Sequence, residues 1–190
     1  MSIGGLVIRK RDAAATRAAL LKAATARFVA EAYDSVSLRT IAADAGVDVS
    51  LISRYFGGKE ELFKAVLDNC PPPEDLFVGE HADFGERLSR MLVEDPMRQD
   101  KPDIFLIMLR SADHPVAAEA IRASGEERFY GPFKRWLGGR NVDERVHLAS
   151  AIIKGVVMDR LISDDFGLSA EDRENFRKRL ARILQAAISA

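Results

Sequence analysis

The chain has 190 residues, and its composition, 47% hydrophobic and 30% charged, is that of an ordinary folded protein. Its formal net charge of −1 excludes a uniformly basic polyanion binder, and the single cysteine, Cys70, cannot form an internal disulfide. No apolar run is long enough to span a bilayer, and the N-terminal apolar and basic residues come in the reverse order for a secretory signal. We therefore expect a cytoplasmic protein that does not associate with membranes.

The near-neutral average conceals a basic segment close to the N-terminus. Between residues 9 and 27 one acidic residue, Asp12, stands against six basic ones: Arg9, Lys10, Arg11, Arg17, Lys22 and Arg27. A local excess of positive charge is compatible with phosphate contact, although a solvated helix face is the more ordinary explanation of any charge cluster.

Apolar residues at three- and four-residue steps predict four helices in the first third of the chain, at about 12–32, 37–45, 48–56 and 59–70. The second and third begin with helix-capping residue types, Ser37 and Asp48, and Gly46 separates them. The triple proline at 71–73 cannot continue the fourth helix. We therefore predict two domains, residues 1–70 and 71–190.

Helical periodicity continues through the rest of the chain, with no strand-like alternation and no internal repeat, which predicts an all-α fold. We expect the later helices at about 83–94, 102–112, 115–137, 143–163 and 170–189. The breaks between them contain proline, glycine, aspartate and asparagine, which are typical of turns.

The segment SLRTIAADAGVDVSLISRYF, residues 37–56, has the features of a helix-turn-helix. Its larger apolar residues fall on one side and tie both helices to the first: Ile41, Ala45, Val47, Ile52 and Phe56. The other side is small and polar enough for a close approach to base edges, at Arg39, Val49, Ser50 and Ser53. Residues placed for phosphate oxygens are Thr40, Arg54, Tyr55 and Lys59. The alternative is a helical hairpin with a purely structural role.

Residues 38–67, LRTIAADAGVDVSLISRYFGGKEELFKAVL, resemble the TetR-like (tetracycline-repressor-like) family of transcriptional regulators. The shared features are Ile-Ala, Gly-Val, a short helix ending in two aromatic residues, and Lys-Glu-x-Leu, all at fixed offsets. The resemblance covers about the first third of the chain. Beyond it, the chain is similar to the family only in the number and length of its helices.

The resemblance implies a role for each matching residue. Arg39 is expected to contact a base, the face with Val49, Ser50 and Ser53 to enter the groove, and Tyr55 and Lys59 to hold phosphates. Two positions depart from the family pattern. Ser53 stands where an aromatic residue is usual, and Leu51, which we include among the DNA-facing residues, stands where a small polar residue is usual.

Two helices in the last third of the chain predict a dimer interface. Helix 143–163 is apolar most of the way round, so it should be buried on two sides, and its small residues permit a close helix contact. Paired with the last helix and their symmetry mates it would form a four-helix interface, as the resemblance also implies. The candidates are Leu148, Ile152, Gly155, Val156, Phe176, Leu180, Ile183, Leu184 and Ala187. The alternative is the central helix of a monomer.

An effector that controls DNA binding needs a pocket and must bind better to one of the two states. Methionine and aromatic residues adapt to varied apolar ligands. The candidate lining is Phe84, Leu88, Met91, Ile104, Phe105, Met108, Phe129, Phe133, Trp136 and Val157. A plain hydrophobic core explains these residues about as well.

The sequence has no metal-ligand spacing, phosphate loop or nucleophile motif, so we expect neither an enzyme nor a cofactor or metal. We predict an N-terminal three-helix helix-turn-helix domain, followed by a helical ligand-binding and dimerisation domain. The expected function is that of a homodimeric repressor that binds a palindromic double-stranded DNA operator and is released by a small, largely apolar effector. The competing hypothesis is a helical interaction or adaptor protein without sequence-specific DNA binding.

Overall fold

The computed structural model describes residues 4–70, 76–95, 104–163 and 165–189, with the backbone alone for residues 4–12. The side chains of Arg9, Lys10 and Arg11 therefore lie outside the described residues. Within these ranges the chain forms helices and no strand, which confirms the all-α prediction. None of the helices described there is long and apolar enough to cross a membrane.

The α-helices are α1 (Gly4–Ala30), α2 (Leu38–Asp44), α3 (Ser50–Phe56), α4 (Lys59–Asn69), α5 (Phe84–Val93), α6 (Ile104–Ser111), α7 (Pro115–Gly125), α8 (Gly131–Leu137), α9 (Val142–Ile162) and α10 (Ala170–Ile188). Short 3₁₀ turns lie at Tyr33–Ser35, His81–Asp83 and Asp165–Gly167, and a π turn spans Glu126–Tyr130.

The helix predicted at 115–137 is divided by this π turn into α7 and α8. A wide turn brings the Glu126 carbonyl oxygen towards Gly131, where a Cβ atom would lie only 2.8 Å from it. Glycine therefore permits the turn. A π turn adds one residue to a helical turn and leaves the apolar periodicity intact on both sides, so the sequence pattern does not reveal it.

Packing divides the helices into two compact units. The first contains α1–α4 together with α6 and α7, and the second contains α5, α8, α9 and α10. Helices α6 and α7 follow the predicted boundary in sequence, but they pack with the N-terminal helices because Ile107, Ala117 and Ala120 are buried in the first core. The two compact units therefore divide the chain differently from the two domains predicted from the sequence.

The first unit has a core centred on aromatic side chains. Phe28 and Phe63 are fully buried with ring centroids 4.9 Å apart, and Tyr33 lies 5.1 Å from Phe63. Ile41 from α2 and Ile52 from α3 are fully buried in the same cluster. The helix-turn-helix is therefore joined to α1 and α4 through apolar contacts.

The second unit has its own aromatic core. Phe84 and Phe133 are fully buried, with ring centroids 5.6 Å apart, and Trp136 and Phe77 pack beside them. Helices α5 and α10 approach each other closely at Gly85, where a Cβ atom would lie 2.1 Å from the Ala181 carbonyl oxygen.

The amide of Gly85 adds a polar contact to this close approach. It donates a hydrogen bond to Gln185 Oε1 at 3.0 Å, and Gln185 Nε2 donates to the His81 carbonyl oxygen at 2.9 Å. One side chain of α10 thus satisfies an otherwise unpaired amide at the start of α5.

We predict that Gly85→Ala destabilises the protein by about 1–3 kcal/mol, because the added methyl group must push α10 away from α5. Chemical denaturation followed by far-ultraviolet circular dichroism measures the change. A midpoint equal to that of the wild type would show that the two helices are not held this close in solution.

Candidate nucleic-acid interface

Local hydrogen bonds fix both helices of the helix-turn-helix. The Ser37 hydroxyl accepts the amide of Arg39 at 3.2 Å and caps α2, while Asp48 Oδ1 accepts the amide of Ser50 at 2.8 Å beside the start of α3. Between them Gly46 adopts a φ of +67°, a left-handed conformation that glycine tolerates best. Both capping residues thus act where the sequence placed them.

The inward face of the motif is apolar, as predicted. Ile41 and Ile52 are fully buried, and Ala45, Val47 and Phe56 are partly buried against the same core. Because α2 and α3 have only seven residues each, this burial rather than helix propensity must hold them in place.

The outward face presents most of the predicted DNA-contacting residues to solvent. Arg39, Ser50, Ser53 and Arg54 are exposed, and Val49 is 38% exposed. Thr40, Leu51, Tyr55 and Lys59 are half-buried, and of these Leu51 and Tyr55 also pack against the first core. The exposed group is small or flexible enough to approach base edges.

Lys59, at the N-terminus of α4, is held against the turn that precedes α2. Its Nζ atom lies 4.6 Å from the centroid of the Tyr33 ring and donates a hydrogen bond to the Asp34 carbonyl oxygen at 3.4 Å. Burial lowers the pKa of the Lys59 ammonium from its usual value, and the Asp34 carboxylate opposes this shift. Because Lys59 is the first residue of α4, its ammonium adds a positive charge to the positive end of the α4 dipole.

Arg27 has a different environment from the one that its place in the basic segment suggests. Its guanidinium forms a bidentate pair with Asp44, at 2.6 and 3.0 Å, and contacts Glu31 at 3.1 Å. Arg27 therefore joins α1 to the end of α2, and its charge is already compensated within the protein. Arg17, by contrast, is exposed and lies 4.8 Å from the centroid of the Phe56 ring.

The sequence interpretation missed the residues that surround Lys59. Tyr33 and Asp34 lie outside every helix and every site predicted from the sequence, and the contact of Asp34 with His114 joins residues 80 positions apart. No spacing pattern in the sequence signals such a contact.

The proposed ligand-lining residues fall into both units. Phe84, Leu88 and Phe133 are buried in the second core, with Met91, Phe129, Trp136 and Val157 partly buried against it, whereas Ile104, Phe105 and Met108 belong to the first unit. An open cleft of about 270 Å³ in the second unit has a different lining. It consists of Val93, Glu94, Ala170, Arg173, Glu174 and Arg177.

The proposed interface residues of α10 differ in how deeply they are buried. Leu180, Leu184 and Ala187 are buried within the second unit, because this face of α10 packs on α5 and α9, so their side chains are not available to a partner. Ile183 remains 54% exposed, and Leu148 on α9 is 52% exposed. The exposed candidates are therefore Leu148, Gly155 and Ile183, with Ile152, Val156 and Phe176 half-buried.

Two family models match the chain. One is described as bacterial regulatory proteins of the tetR family and covers residues 20–66; the other is described as the tetracyclin repressor-like C-terminal domain and covers residues 82–188. The second match alone spans more than half of the sequence. The chain belongs to the TetR family, and it is a transcriptional regulator with a DNA-binding helix-turn-helix domain.

Solved structures agree with this assignment. The chain is 26% identical to a TetR-family regulator from Streptomyces coelicolor, with a TM-score of 0.57 and coverage of 93% of this chain and 96% of that one. It is 22% identical to NalD, the secondary repressor of the MexAB-OprM multidrug efflux pump in Pseudomonas aeruginosa, with a TM-score of 0.65 and coverage of 90% and 95%. At that identity NalD supports the fold alone. The search of curated proteins returned no match.

Asp48 offers a test of how firmly α3 is held. Hydrogen bonds from the Ser50 side chain, and then from its backbone amide, lower the pKa of Asp48 from its usual value. The cap therefore contributes fully above the pKa of the unfolded chain and is lost as the pH falls through the lower folded value.

We predict that Asp48→Ala weakens DNA binding and speeds amide exchange in α3, because it removes the acceptor for the Ser50 amide. Hydrogen exchange measured by NMR, together with operator binding, checks both effects. Asp48→Asn is the matched control, since its side-chain oxygen still accepts the amide and does not titrate. Equal exchange rates in the two variants would contradict a capping role for Asp48.

Proposed function

We propose that the protein is a repressor that binds a palindromic operator as a homodimer and is released by a small, largely apolar effector. The observation that carries this proposal is the exposed face formed by Arg39, Val49, Ser50 and Ser53 on a buried helix-turn-helix scaffold. A face of short side chains allows the helix backbone to come close to the floor of the major groove.

Phosphate contacts would set the register of this docking. Lys59 at the start of α4 and exposed Arg54 in α3 carry the positive charge, and half-buried Thr40 and Tyr55 supply hydroxyl groups. Such contacts position the protein without reading sequence, whereas Arg39 and the exposed face of α3 would contact bases.

The homodimer is supported by apolar surface on the second unit that is exposed in a single chain. Leu148 and Ile183 are about half exposed, and a Cβ atom at Gly155 would meet nothing within 4 Å in the same subunit. A palindromic operator presents successive half-sites about 34–36 Å apart, so a two-fold dimer is the assembly that matches it.

The effector would act on the second unit. Met91, Phe129 and Trp136 lie half-buried at the edge of the aromatic core around Phe84 and Phe133. An apolar molecule that entered this edge would have to rearrange packed side chains. It would therefore bind one arrangement of the second unit better than the other, and such a difference in affinity shifts a two-state equilibrium.

For DNA binding, we predict different effects from two substitutions. Arg39→Ala should cost about 1–3 kcal/mol at one base pair and relax the preference there, because a base contact is lost. Lys59→Ala should weaken binding to all sequences alike and reduce the salt slope by about 0.9, because one phosphate contact is lost.

Selection from a random duplex pool, followed by fluorescence anisotropy at several salt concentrations, separates these effects. Arg140→Ala is the control, because Arg140 is an exposed arginine of the second unit. If no sequence were enriched by the folded wild-type dimer in the absence of effector, the adaptor hypothesis would replace the repressor.

For the dimer, we predict that Leu148→Glu and Ile183→Glu each shift the protein towards a monomer, because a charge would be buried in the interface. Sedimentation equilibrium measures the dissociation constant. Val78→Glu is the matched control, since Val78 is 62% exposed in the same unit but lies outside α9 and α10. A dimer unaffected by both interface substitutions would place the contact elsewhere.

A further inference from the structure

His114, the residue before α7, makes two polar side-chain contacts in the first unit. Its Nδ1 atom accepts the amide of Ala117 at 3.4 Å and so caps the start of α7, while its Nε2 atom lies 3.0 Å from Asp34 Oδ1. An imidazole that accepts at Nδ1 carries its proton on Nε2. This tautomer lets the ring donate to the Asp34 carboxylate, and one side chain thereby joins α7 to the turn at residues 33–35.

The same turn also contacts Lys59. The Asp34 carbonyl accepts a hydrogen bond from Lys59 Nζ at 3.4 Å, and the Tyr33 ring lies 4.6 Å from that ammonium. The His114 ring also contacts Tyr33, with centroids 4.6 Å apart. Two residues of the turn, Tyr33 and Asp34, therefore touch both His114 and Lys59.

The turn has little structure of its own. It contains three residues and its backbone closes through a hydrogen bond from Ser35 to Ala32 at 3.0 Å. Tyr33 is anchored in the core by stacking on Phe28 and by an edge contact with Phe63. The Asp34 side chain is mostly exposed, and it pairs with the His114 ring. The tie to His114 therefore helps to determine where the Asp34 carbonyl points.

We propose that His114 is a positioning residue for DNA binding: through Asp34 and Tyr33 it holds the Lys59 ammonium at the N-terminus of α4, where a DNA phosphate would bind. This inference rests on the proposed function, in which Lys59 contacts a phosphate. It adds that the strength of this contact depends on a residue 55 positions further along the chain, outside the helix-turn-helix.

Two substitutions of His114 separate this role from the capping of α7. His114→Asn keeps an acceptor at the place of Nδ1 and can still cap α7, but it is too short to reach Asp34. His114→Gln places an amide donor near the position of Nε2 and can keep the tie to Asp34. A capping role alone is preserved by asparagine, whereas a positioning role is preserved by glutamine.

The experiment measures operator affinity over a salt series for the wild type, both His114 variants, Lys59→Ala and the double variant His114→Asn/Lys59→Ala. We expect His114→Asn to bind about tenfold more weakly, the scale of one charge-assisted hydrogen bond, and to lower the salt slope by up to about 0.9. His114→Gln should remain close to the wild type. The double variant should bind no more weakly than Lys59→Ala, because His114 acts through Lys59.

The NMR shift of the Lys59 ε-methylene protons tests the position of Lys59 without DNA. The Tyr33 ring current should displace these protons upfield in the wild type and in His114→Gln, and the displacement should shrink in His114→Asn. An unchanged shift, or wild-type affinity and slope in His114→Asn, would overturn the inference. Loss of affinity that adds fully to that of Lys59→Ala would also overturn it. If Lys59→Ala itself leaves the slope unchanged, the phosphate contact fails instead.

Discussion

The DNA-binding face depends on the burial of two side chains, Ile41 and Ile52. Helices of seven residues are too short to be stable alone in water, so α2 and α3 need a tertiary partner. Full burial of each isoleucine contributes about 1.5–3 kcal/mol. The two together therefore amount to a large part of the free energy of unfolding of a domain, which is about 5–15 kcal/mol. Because both residues enter the cluster that contains Phe28 and Phe63, the exposed residues of α3 are held at a fixed orientation to α1 and α4.

Charge plays a more local part than the basic segment suggests. Arg27 is paired with Asp44 and Glu31, and Lys64 is paired with Glu60 and Glu61, so these charges are compensated within the first unit. Lys59 differs, because its hydrogen-bond acceptor is a neutral carbonyl oxygen and an aromatic ring lies beside it. A carbonyl and a ring hold an ammonium in place without cancelling its charge. A protein with a net charge of −1 can therefore still present a localised positive site.

The features that could be predicted from the sequence are those fixed by neighbouring residues. Ser37 and Asp48 accept hydrogen bonds from amides two positions ahead, and the helical spacing of apolar residues assigned Ile41 and Ile52 to the core. The features that could not be predicted involve distant residues. Asp44, which pairs with Arg27, lies 17 positions away from it, and His114, which pairs with Asp34, lies 80 positions away. Many charged residues could have served as such partners, and only the packing of helices decides among them.

The two helices proposed for the dimer show how far a periodic pattern can be interpreted. The sequence pattern identified apolar stripes on both helices but could not say which side of each faces its own subunit. On α10 the stripe with Leu180 and Leu184 is buried against its own unit, where Gly85 allows α5 to come close, so Ile183 is left on the exposed side. On α9, Val146 and Ile153 are buried while Leu148 stays exposed, so this helix has two apolar sides. In the proposed dimer a partner would therefore cover the outer side of each helix, which carries Leu148 on α9 and Ile183 on α10.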